Sequence, residues 1–338
     1  MTTPGKTTTT ATTAAIAKFF DKNLMLFVSL AIIAGVIVGV YAPNFAKSLK
    51  SYINFTLFLM LYPMMVGIKV EEMAQAFVNV RAMGWSLVLN FIVSPLVGFL
   101  LARTLLAHYP AFAVAILLLS ATPCAGMVAG WTGLAKGNVA LAVAIVAVSL
   151  ALSIVTIPIT MAILAGSIVQ LNAWAMFQGT LVVILLPMVA GWITRWIIIR
   201  GSGERGFAAV KLLLGPISML GMYSIVFISV AMGAPQIIRS WHAIFVIVPA
   251  LLLFYAVQFF LSIRTAAASR LAPPDATALV YGVTGKNISL AIGLATQFFS
   301  PLTVVMLAVN PLIQIPSMAW FLSRVRRPQS RPKRPSGS

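Results

Sequence analysis

Lys286 stands in the segment Gly282-Val283-Thr284-Gly285-Lys286-Asn287, within an apolar stretch running from about Thr277 to Phe298. Such a stretch reads as a membrane-spanning helix, which puts the ammonium near its middle at a cost of at least about 2.5–3.5 kcal/mol. Gly282 and Gly285 weaken the helix there and free backbone carbonyls and amides for a ligand. Non-helical backbone at membrane depth persists only when buried in protein or lining a watery cavity. Three chemistries are open to Lys286: pairing with an anionic substrate, giving up and regaining a proton in a transport cycle, or standing as a fixed cation where a metal cation would otherwise bind. Thr284 and Asn287 are the hydrogen-bonding groups beside it.

The second reactive group is Cys124, in Ala121-Thr122-Pro123-Cys124-Ala125-Gly126. Pro123 lacks an amide donor and clashes with the preceding turn, so with Gly126 it marks a second helix break. A thiolate is a soft ligand suited to soft electrophiles, and Met127 and Trp131 follow at about i+3 and i+7, on one helical face. A lone cysteine excludes an internal disulfide. The acidic residues Asp21, Glu71, Glu72, Glu204 and Asp275 all fall in tail or loops. No carboxylate is therefore expected at depth as a sodium ligand or proton relay. His108 and His242 fall at span ends and no phosphate-binding Gly-rich loop occurs, so no metal centre, cofactor, ATP-driven step or enzymatic reaction is expected.

The elements that must position these groups follow from composition. With 61% hydrophobic and 8% charged residues, the chain is expected to be an all-α integral membrane protein of many spans. Its net charge of +18 lies between and after apolar segments, without a basic face interleaved with aromatics, so nucleic acid is not an expected partner; the lipid bilayer is. Ten spans are expected at about 25–41, 52–68, 83–106, 112–135, 139–165, 173–194, 212–233, 241–262, 276–298 and 303–323. With both termini cytoplasmic in the plasma membrane, most of the 23 basic residues fall inside, and only Lys47, Lys50, Arg103 and Arg239 fall outside. The expected division is a disordered cytoplasmic tail (1–22), a membrane domain (23–325) and a basic cytoplasmic tail (326–338). Five spans per half (about 25–165 and 173–323) force opposite orientations, an inverted repeat in which the broken fourth and ninth helices cross at the substrate site.

The run Cys124-Ala125-Gly126-Met127-Val128-Ala129-Gly130-Trp131-Thr132-Gly133-Leu134-Ala135-Lys136-Gly137 resembles the fourth-helix pattern of arsenite permeases in the bile acid:sodium symporter superfamily, Cys-x-x-Met-Val-x-x-Trp-x-x-Leu-Ala-x-Gly. Leu61-Tyr62-Pro63-Met64-Met65 with Lys69-Val70-Glu71-Glu72, and Asn90 to Pro95, are similar to the second and third helices of the same branch. The resemblance covers about residues 25–325 and implies crossed broken helices, outward movement of arsenite or antimonite, and Cys124 as the metalloid-binding residue. It departs from that branch where Ser289 replaces a Glu after an Asn-x pair. It departs from the sodium-coupled branch at Gly282 and Lys286-Asn287, at Val128-Ala129, and at Ala142 and Val146, which stand where sodium ligands are found. The expectation is thus a sodium-independent secondary transporter exporting arsenite-type metalloid. Cys124, Met127, Trp131, Thr284, Lys286, Asn287 and Ser289 would contact substrate, with Lys286 coupling to protons or neutralising charge. The alternative is an organic-anion carrier whose small carboxylate or bile-acid-like substrate pairs with Lys286. A sensor or scaffold without flux is disfavoured, because the chain has no sizeable soluble domain.

Overall fold

The computed structural model describes residues 19, 23–67, 79–169, 172–239, 242 and 244–326. Apart from Phe19 and Arg326, the two tails fall outside these residues, as does Lys69-Val70-Glu71-Glu72. Every element among the described residues is helical. The N-terminal part runs α1 (Leu24–Tyr41), the short α2 (Pro43–Ser48), α3 (Ile53–Val66), and α4 (Val80–Val88), which continues through a π turn (Leu89–Val93) into α5 (Ser94–Thr104). Then come α6 (Pro110–Ala121), α7 (Met127–Leu134) and α8 (Val139–Thr160). The remainder is α9 (Ala173–Arg239), α10 (Ile244–Ala268), α11 (Pro273–Thr284), α12 (Ile288–Phe298), α13 (Pro301–Val309) and α14 (Pro311–Arg326).

Local chemistry explains where these helices begin. Pro43, Pro110, Pro273 and Pro301 open α2, α6, α11 and α13, where a missing amide costs nothing. The side chains of Asn79, Asn138 and Asn287 accept the amides of Ala82, Leu141 and Leu290, capping α4, α8 and α12. Asp275, in the first turn of α11, accepts from the amide groups of both Asn79 (2.6 Å) and Asn138 (2.8 Å), so one carboxylate ties three helix starts together.

The run α9 is two helices. At Gly203 the backbone takes φ 63° and ψ −175°, which only glycine adopts cheaply. The Arg195 guanidinium lies 4.2 Å from the Phe207 ring centroid. Twelve residues of straight helix would separate them by about 18 Å, so the chain reverses between them. Both halves then pack on α3. A Cβ at Gly191 would meet the Val66 nitrogen at 2.7 Å, and one at Gly221 would meet the Met60 nitrogen at 2.5 Å. Small residues let helix backbones approach this closely in a membrane, where dispersion rather than the hydrophobic effect drives packing.

The molecular exterior is apolar. Ile163, Trp174 and Phe245 are 68%, 66% and 71% exposed, the inverse of a water-soluble surface and the form of a multi-pass membrane protein. Six described helical stretches are long and apolar enough to cross a bilayer, and three shorter apolar helices accompany them. That is fewer than the ten segments expected, for a physical reason. Breaks shorten the segments around Cys124 and Lys286 below spanning length, the reversal at Gly203 fuses two segments into one run, and the described apolar helix of the first segment, Leu26–Tyr41, is itself shorter than a span.

Candidate functional site

The chain between α6 and α7 and the chain between α11 and α12 lie side by side. Cys124 and Lys286 form a single antiparallel bridge. The Ala125 amide donates to the Gly285 carbonyl (2.8 Å) and the Asn287 amide to the Pro123 carbonyl (2.9 Å). Each interruption thereby satisfies backbone groups of the other, which is what lets irregular backbone persist away from water.

Lys286 is fully buried. Its Nζ donates to Asn90 Oδ1 (2.9 Å), the Ser120 carbonyl (3.0 Å) and the Thr122 carbonyl (3.2 Å). All three protons of the ammonium are used, and every acceptor is a neutral oxygen. Two of the acceptors are carbonyls at the C-terminal end of α6, where the helix dipole favours a cation. Asn90 is itself held by donating to the Gly282 carbonyl (2.9 Å). On the other side, Gln314 Nε2 donates to the carbonyls of Lys286 (3.0 Å) and Thr284 (3.3 Å). Among the described residues no group of three or more His, Cys, Asp or Glu could hold a metal ion.

A cavity of about 350 Å³ opens beside the paired interruptions. Its walls include Met64, Met127, Met219 and Met222, with Pro63, Leu214, Pro311 and Ile315, and its polar lining residues are Lys211, Ser218, Lys286, Asn287 and Ser289. Gly126, Met127, Ile288 and Ser289 also line it, so the N-terminal ends of α7 and α12, with their positive dipole ends, border the same space.

The expected site residues separate into two groups. Met127, Lys286, Asn287 and Ser289 come together on the cavity. Cys124 is buried behind that wall, its Sγ 3.5 Å from Ser149 Oγ on α8. Trp131 packs on Tyr281 with ring centroids 6.1 Å apart, and the buried Thr284 hydroxyl donates to the Val280 carbonyl. The shared face drawn for Cys124, Met127 and Trp131 therefore does not form: α7 starts at Met127, so helical periodicity does not extend back to the cysteine. Pro123, Gly126 and Gly285 lie in or at the edge of the interruptions. Gly282 lies inside α11, where its carbonyl holds Asn90 and a Cβ would meet Ile145 at 3.0 Å. Sequence reasoning did not single out Asn90, Gln314, Ser149 or Lys211 for the site. Asn90 and Gln314 carried one usable signal, a buried amide side chain in an apolar helix, which is costly unless it has a specific partner.

Interrupted helices meeting beside a cavity, inside a bundle with a lipid-facing exterior, define a membrane transporter for a small molecule. Sequence comparison agrees: the model of the Sodium Bile acid symporter family matches residues 54–241, more than half of the chain. The chain belongs to that family. It is 23% identical to the arsenical-resistance protein Acr3 of Corynebacterium glutamicum, over 94% of this chain and 92% of that one. It is 26% identical to the Acr3 protein of Alkaliphilus metalliredigens, over 89% and 90% of the two chains. An uncharacterized sodium-dependent transporter of Bacillus subtilis, YocS, is 28% identical over 82% and 84%.

Proposed function

We propose that the chain is a sodium-independent secondary transporter that exports arsenite- or antimonite-type metalloid across the plasma membrane. Ten spans arranged as two inverted five-helix halves, with both termini cytoplasmic, would carry it out. The observation that supports this reading best is the meeting of Cys124 and Lys286 in one bridge between the two interruptions. It puts the molecule's single thiol one residue from the cavity wall at Ala125 and Gly126. Arsenous acid is small and uncharged, so it can pass an apolar, methionine-lined cavity, and its oxygens can accept from the amide ends of α7 and α12. Turning from Ser149 toward the cavity, the Cys124 sulfur would form an S–As bond as one As–O bond breaks. The thiol proton leaves with the departing hydroxyl as water. The two remaining hydroxyls would bond to Asn287 and Ser289.

The absence of carboxylates among the ligands of Lys286, and its three neutral oxygen acceptors, support the sodium-independent part of the reading. Such an oxygen cradle suits a monovalent cation, and a tethered ammonium fills it. Cycling of that ammonium would couple flux to protons or neutralise charge as the crossing moves. Cys124→Ser is expected to abolish arsenite resistance in a sensitised host and leave the folded protein in the membrane. Unchanged resistance rejects the metalloid role.

One observation favours a second reading. The cavity is mostly apolar, has Lys211 in its lining and no carboxylate, which suits an amphiphilic organic anion. Competition by small carboxylates in proteoliposomes that do not respond to arsenite would select it.

A further inference from the structure

A second concavity, of about 540 Å³, lies on the outer surface between α10 and α14. Phe259, Phe260 and Trp320 are among its walls, and Pro316 lies within α14 beside it. Along α10 it runs from Leu252 to Arg264, about 18 Å of helix. That is close to the depth of one leaflet, half of a ~30 Å hydrocarbon core. Arg264 closes one end, with its guanidinium carbon 6.0 Å from the Phe260 ring, and Arg324 lies nearby, 4.9 Å from the Trp320 ring. The carboxylates among the described residues are Glu204 and Asp275. They are engaged by Arg195 and by Asn79 and Asn138, so neither guanidinium is paired with a carboxylate among the described residues.

We propose that this groove is a binding site for an anionic phospholipid, with an acyl chain along the aromatic wall and the phosphate on Arg264. An arginine at a lipid-facing helix end attracts anionic headgroups, and the planar guanidinium matches phosphate oxygens in a fork. A second copy of the chain is the poorer occupant. A two-fold contact across the groove would bring Arg264 and Arg324 of both copies together with no acid in the groove lining between them. The groove also adjoins the transport site mechanically. Phe259 packs on Phe321 (5.7 Å) and Phe321 on Tyr281 (5.2 Å), and α14 carries Gln314, which holds the carbonyls flanking Lys286. A bound lipid thus steadies the helix that steadies the crossing.

The test uses the full-length protein purified in neutral detergent, with dioleoylphosphatidylglycerol and dioleoylphosphatidylcholine as probes. Native mass spectrometry reads retained lipid, and thermal unfolding reads stabilisation. The wild type is expected to retain phosphatidylglycerol about fivefold better than phosphatidylcholine, the order expected for one arginine near a membrane surface. It is also expected to unfold at a higher temperature with phosphatidylglycerol. Arg264→Gln, at an exposed position, should bring the two lipids level; Ala256→Phe, which fills the groove, should lower both. Equal retention by the wild type, or an undiminished preference in Arg264→Gln, overturns the proposal. So does a dimer that Ala256→Phe dissolves without any lipid preference. None of these readouts depends on what the protein transports.

Discussion

Lys286 has no acid beside it among the described residues, so its place rests on three neutral oxygens. The consequence is a dependence on Asn90, the only side chain among them. Hydrogen bonds to charged groups contribute about 1.5–3 kcal/mol each, and stranding a buried donor adds its desolvation cost. Asn90→Leu, close in size, removes the Oδ1 acceptor and also strands the Gly282 carbonyl. It is expected to destabilise the protein by about 2–4 kcal/mol, read as a lower unfolding midpoint in detergent. An unchanged midpoint would mean that Asn90 is not what retains the ammonium. Asn90 could be suspected from sequence as a polar residue in an apolar helix, but its partner lies 196 positions away. No local pattern encodes such a pairing.

Helix packing sets the next constraint. Gly221 presses on the α3 backbone, where an added Cβ would meet Met60 N at 2.5 Å and Cα at 2.7 Å. Backbone cannot turn aside as a flexible side chain does, so Gly221→Ala must push α9 off α3 and is expected to cost about 1–3 kcal/mol. Gly201, with nothing within 4 Å of an added Cβ, is the matched control. Gly201→Ala should leave stability unchanged or raise it by up to ~1 kcal/mol through helix propensity. Equal melting of the two variants would contradict the close contact. The breaks at Pro123 and Gly285 were readable because proline and glycine disrupt helices by local sterics. The burial of Cys124 against Ser149 was not, since it depends on how α8 packs over the break.

For the whole molecule, accessibility is the property a transport cycle must change. Lys211 lies on the cavity among the basic residues expected on the cytoplasmic side. Cys124 is the chain's one cysteine and is 0% exposed, so the wild type is its own blank for thiol labelling. In Ser289→Cys a membrane-impermeant maleimide is expected to react from the cytoplasmic face at least tenfold faster than from the other face, and bound substrate should protect it. Equal labelling of Ser289→Cys from both faces would contradict a cavity open to one side.

Apolar content, the scarcity of acids and the positions of helix-breaking residues already dictated a helical membrane protein with two interrupted segments carrying Cys124 and Lys286. Those properties are local: they follow from transfer free energies and backbone sterics, residue by residue. Folding in three dimensions decided what the reactive groups face. It turned the ammonium toward Asn90 and the Ser120 and Thr122 carbonyls at the end of α6, put the thiol behind the cavity wall, and brought Lys211 and four methionines to the cavity. These outcomes depend on contacts between residues far apart in the chain, whose energies exist only once the helices have packed.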